Sequence, residues 1–155
     1  FVSGQNLHRP EKRYDLFLSV IEKIKLLVTD GSSEVLPLAI SEATRDTIPL
    51  YYNAVDCYLL TSDFEGSPNA VKEALACGTA VVSRNVGSAV DLLDGIPRCT
   101  VVDGENVDML ADAVLKSINS DVKASVRDCF MDKKLDTSSV AEQIMDIYLQ
   151  VIKEK

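Results

Sequence analysis

The chain has 155 residues, a length that fits one domain around a single core. Its 46% hydrophobic and 26% charged residues argue for a folded, soluble domain, and no apolar run approaches the ~20 residues a membrane-spanning helix needs. With 16 Lys and Arg against 24 Asp and Glu, the net charge of −8 argues against nucleic acid as the main partner, because phosphate backbones need clustered cations.

The opening stretch, FVSGQNLHRPEKR, lacks the charged start, apolar core and small-residue cleavage site of a signal peptide. It reads as the end of a strand (1–3) and a polar loop (4–13), as if the chain were cut from something larger. His8, the single histidine, reads as a surface residue of that loop. From Tyr14 the period becomes helical, with Leu16, Phe17, Val20, Ile21 and Ile24 on one stripe. LLVT (26–29) reads as a strand ending in a turn at Asp30 and Gly31, and EVLPLAIS (34–41) as another despite Pro37. Only DGSS separates those two runs, where parallel strands need a connection of roughly a dozen residues. Either the crossover helix is missing or residues are.

Residues 48–53 read as a short helix, and AVDCYLLT (54–61) as a strand buried on both faces. Ser67 and Pro68 then signal a helix start, with Ser as N-cap and Pro at the first helical position. Ala70, Val71, Ala74 and Leu75 form that helix's buried face, and Gly78 ends it. A buried strand (79–83), the loop RNVGS, a helical turn (90–93) and a short strand (99–102) follow. Residues 108–118 are helical, with Leu110, Val114, Leu115 and Ile118 on one side. The last helix, 138–153, carries Val140, Ile144, Ile147, Tyr148 and Val151, a stripe that covers this domain's own core or a missing partner's surface, the own core being the safer reading. Strands alternating with helices predict an α/β fold with a Rossmann-like, doubly wound parallel sheet. With no repeat or linker, residues 1–155 read as one domain.

Cys57, Cys77, Cys99 and Cys129 have no metal-ligand spacing, and the first two lie in apolar runs. The expectation is no metal site, no disulfide and a reducing cytoplasm. The chemistry concentrates at 62–73, at the carboxyl end of a strand, where open α/β sheets bind ligands. Free N–H groups and the dipole at the helix start favour an anion such as a diphosphate. Gly66 allows close backbone approach, and Ser67 and Asn69 add small polar groups. Glu65 precedes the helix and Glu73 lies about a turn and a half inside it. Taken singly, each glutamate reads more simply as dipole complement or solvated surface. Together, two carboxylates flanking an anion site suit a ligand with phosphates between two hydroxyl-rich ends.

The run DCYLLTSDFEGSPNAVKEALACGTAVVSRNVGS resembles the signature of the retaining glycosyltransferases of the group 1 type, glycosyltransferase family 4. The matching pieces are Ser62, Glu65 and Gly66, Glu73 eight residues after the first Glu, the stretch 74–78, the Val-rich strand 80–83, and Val86 with Gly87. The resemblance implies the C-terminal, donor-binding half of a GT-B fold. It implies transfer of a sugar from a nucleoside diphosphate to an acceptor with retention, the nucleotide sugar being substrate and no cofactor or metal being required. By the same resemblance Glu65 holds donor-sugar hydroxyls and Glu73 the ribose, and the backbone around Gly66, Ser67, Pro68 and Asn69 meets the sugar and diphosphate. Lys12, in RPEKRYD, neutralises the leaving group. Gln5 or Asn6 stands near the place of the family's loop Arg, with Arg9 substituting by a different path. The acceptor domain of the full-length protein is the implied partner, its absence leaves the chain poorly active alone, and peripheral membrane association is left open. A non-catalytic nucleotide-sugar module and half of a nucleotide-sugar 2-epimerase are the alternatives.

Overall fold

The computed structural model describes residues 2–3, 9–28, 34–40, 43–122 and 125–153. Gln5, Asn6, His8 and the turn at Asp30 and Gly31 lie outside them. Among the described residues five strands, β1 (Val2–Ser3), β2 (Ala39–Ile40), β3 (Cys57–Leu60), β4 (Ala80–Arg84) and β5 (Thr100–Val102), are all paired in parallel. One ladder joins β1 to β2 and another runs β3-β4-β5. Because β1 lies against β3, the spatial order is β2-β1-β3-β4-β5, with the chain reversing its direction of growth between β1 and β3. The fold is thus mixed α/β, a parallel sheet flanked by helices.

Alternation in the strands builds the two faces of the core. Cys57, Leu59 and Val82 pack with α1 (Tyr14–Leu27) and α5 (Val107–Ile118) on one side. Tyr58, Leu60 and Val81 pack on the other with α2 (Ile48–Ala54), α3 (Asn69–Ala76), α4 (Ala89–Leu93) and α6 (Val126–Met131). Leu16, Phe17, Val20, Ile21 and Ile24 of α1 are all buried, as their spacing demands. In α5 the buried face differs from the expected stripe. Leu110 and Val114 are joined by Ala111, Ala113 and Ser117, while Ile118 is exposed.

Three expectations need correction. Leu26 and Leu27 continue α1 rather than opening a strand, so the crossover helix is not missing: α1 itself joins β1 to β2. Of EVLPLAIS only Ala39 and Ile40 pair, consistent with Pro37 having no N–H to give a ladder. The last helix, α7 (Thr137–Lys153), buries no residue; Ile144, Ile147, Tyr148 and Val151 are exposed, so it does not cover this domain's core. The unanticipated helix is α6. Ser125 caps it by accepting from Asp128 N, and Val126 and Phe130 are buried one turn apart. The four cysteines are free thiols, and burial pushes Cys99 up to about 11. Among the described residues no helix is long and apolar enough to cross a membrane.

Candidate functional site

The reversal point between β1 and β3 is where an open α/β sheet leaves a crevice at its carboxyl edge. A cleft of about 370 Å³ lies there. It gathers Arg9, Lys12, Glu65, Ser67, Pro68, Asn69 and Glu73 at one lining, with Ile40, Ala43, Ile48 and Leu60 adding apolar wall.

Backbone bonds between two loops hold this lining together. After β1 the chain makes a single 3-10 turn at Pro10–Lys12, then Arg13 adopts φ 50° before α1 begins. A left-handed arginine is uncommon and must be held. Its guanidinium bonds Asp15, Asp63 and Glu105. The carbonyl of Glu11 accepts from Asp63 N at 2.8 Å, and that of Lys12 accepts from Thr61 Oγ1 at 2.9 Å. The first loop is therefore docked on the loop that follows β3, which brings Lys12 Nζ to 2.7 Å from Glu65 Oε1. Arg9 stays more exposed and pairs with Glu11.

On the far side of β3, Arg84 Nη1 donates to the carbonyls of Thr61 and Ser62 at 3.1 and 3.2 Å and to Asp63 Oδ1. Gly87 takes φ 53°, and a Cβ placed there would lie 2.2 Å from Gly66 O and 2.5 Å from Glu65 O. The next residue completes the support: Ser88 N donates to Gly66 O at 2.9 Å, and its hydroxyl meets that of Ser67.

Ser67 is thus not the helix cap. Pro68 is extended and stands at the N-cap position, α3 starts at Asn69, and no side chain caps it. The Pro68 carbonyl accepts from Val71 and Lys72, leaving the first turn's dipole turned to the cleft. With this start Glu73 sits little more than one turn in, on the same face as Asn69. Tyr52, buried on α2, reaches Glu73 Oε2 with its hydroxyl at a long 3.4 Å. Tyr52 also stacks edge-on against Tyr58, and its carbonyl accepts from Thr79 Oγ1 at 2.6 Å.

The arrangement offers a cation, an uncapped helix start, and two carboxylates on either side of them. Sequence reasoning missed the residues that hold these groups: Arg13, Asp63, Arg84, Ser88 and Tyr52. Asp63, Arg84 and Ser88 lie inside the signature run, but nothing local in it marks them as supports of the site.

The bond from Arg84, with a second from Arg13, holds the Asp63 carboxyl below its ordinary 3.8. The sign follows: the unfolded chain binds that proton more readily, so stability from this group is complete above about pH 4 and is lost as pH falls through the lowered value. Melting temperature followed from pH 7 downward is expected to fall below about pH 4, with a shallower fall in Asp63→Asn. Equal slopes in both proteins would remove Asp63 from the account.

A family model described as glycosyl transferases group 1 matches residues 1–120, a span that includes the whole cleft. None of the curated proteins matches the chain.

Proposed function

The chain belongs to the glycosyl transferases of group 1, and from that premise we propose that its cleft binds a nucleoside diphosphate sugar for transfer, with retention, to an acceptor. The supporting observation is the convergence of Lys12, the uncapped start of α3, Glu65 and Glu73 on one cleft. A diphosphate lies at the helix start, where free N–H groups and the dipole meet Lys12. The sugar extends toward Glu65, and the ribose toward Glu73, whose carboxylate accepts from paired hydroxyls. The base rests on the apolar wall of Ile40, Ala43 and Ile48.

Catalysis asks for stabilisation of charge as it develops on the departing diphosphate. Lys12 supplies a full positive charge and α3 a partial one. Glu65, beside Lys12, orients the sugar whose anomeric bond breaks. The acceptor approaches from across the cleft on a partner domain. Neither the epimerase reading nor the non-catalytic one is favoured by the family match.

Calorimetric titration with UDP- and GDP-sugars tests this. One of the two series is expected to bind. Glu73→Ala is expected to weaken it about 30-fold and Lys12→Met by a similar factor, roughly 2 kcal/mol each, as for a hydrogen bond to a charged group. Wild-type protein that binds neither series ends the proposal.

A further inference from the structure

Within the cleft the two groups assigned to the diphosphate and to the sugar bond each other. Lys12 Nζ and Glu65 Oε1 are 2.7 Å apart, with side chains only 20% and 16% exposed. So sheltered a pair is a charge-assisted hydrogen bond rather than a loose surface contact. Separating it leaves a charge short of water and without a partner, which costs more than parting an exposed pair.

We propose that this ion pair makes the cleft discriminate between an intact sugar nucleotide and the free nucleoside diphosphate, with Glu65 as the specificity-determining residue. The inference rests on the donor reading above and deepens it. A diphosphate at the start of α3 requires the Lys12 ammonium, for which Glu65 competes. The Glu65 carboxylate also repels phosphate charge placed beside the pair. A free diphosphate brings Glu65 nothing but more negative charge. An attached sugar brings hydroxyl donors, and these supply the carboxylate with the hydrogen bond that Lys12 withdraws. Arg9 does not offer Glu65 a second cation, because its side chain is 55% exposed and its guanidinium is paired with Glu11. The sugar nucleotide is therefore favoured on entry, and the diphosphate left after transfer is held weakly and leaves.

The test is calorimetry on the full chain with UDP, UDP-glucose, GDP and GDP-mannose, in wild type and Glu65→Gln, a change that keeps shape and removes charge. In Glu65→Gln the free diphosphate is expected to bind about fivefold tighter and the sugar nucleotide about fivefold weaker, so that the preference shrinks by more than tenfold. A damaged fold weakens both ligands and is registered separately by thermal unfolding. Glu65→Ala, which removes the whole carboxylate, is expected to shift the free diphosphate in the same direction and serves if Glu65→Gln does not fold. Free diphosphate binding that is unchanged or weaker in the folded variant overturns the proposal and leaves the donor reading standing. Wild-type protein that takes none of the four ligands overturns both.

Discussion

Gly87→Ala is expected to destabilise the protein by about 3 kcal/mol and to weaken sugar-nucleotide binding at least ~100-fold. Two effects combine. The residue holds φ 53°, a conformation that a Cβ makes costly, and that Cβ would stand 2.2 Å from Gly66 O and 2.9 Å from the Glu65 carbonyl carbon. What it meets is backbone, so no side chain can swing aside. The segment that must shift carries Glu65 at one end and leads into α3 at the other. Gly66→Ala is the matched control, since a Cβ there meets nothing within 4 Å. Its stability is expected to stay within about 0.5 kcal/mol of wild type. Urea unfolding of the two variants side by side, with titration of each, checks this. Equal losses would show that the clash at Gly87 is not what matters.

Arg84→Leu is expected to have the second-largest effect, a loss of roughly 2–4 kcal/mol with weaker ligand binding. The arginine is 13% exposed and its donors reach the carbonyls of Thr61, Ser62 and Gly104 as well as Asp63. Thr61 and Ser62 are fully buried, so their carbonyls lose a donor where water is scarce. Lysine is not expected to rescue, because a single ammonium cannot span acceptors that a planar fork reaches together. Denaturant midpoints for Arg84→Leu and Arg84→Lys measure the loss. Wild-type stability in the lysine variant would mean that charge alone, not the fork, secures the loop.

These two residues show where the sequence could be read and where it could not. The strands within 54–61 and 79–83 follow from continuous apolar runs, and the buried faces of α1 and of the helix carrying Glu73 from helical spacing; both signals are visible in one dimension. The placement of Lys12 beside Glu65 is not local: the family resemblance assigns both to one donor site without pairing them, and only the structure brings them into contact. Arg84 reads as the first residue of the polar loop RNVGS, and Gly87 as the glycine of that loop in the family signature. Their importance lies in carbonyls some twenty residues away, and no pattern in the chain announces such a bond. Leu26 and Leu27 mislead for a different reason: an apolar pair suits the end of a helix as well as a strand, and both stay exposed on the last turn of α1. The apolar face of α7 has the same ambiguity. Its periodicity shows a surface suited to burial without saying what it is buried against.

Lys12 and Glu65 are 53 residues apart in the chain, and a ligand spanning them ties together segments that an unfolded chain holds far apart. Such a ligand has almost no affinity for the unfolded state, so binding free energy appears in full as folding free energy, about 2.7 kcal/mol at a hundred times the dissociation constant. The melting temperature thereby becomes a binding readout that requires neither an acceptor nor turnover. A panel of nucleotide sugars ranked by thermal shift would order them by how well each bridges the two loops.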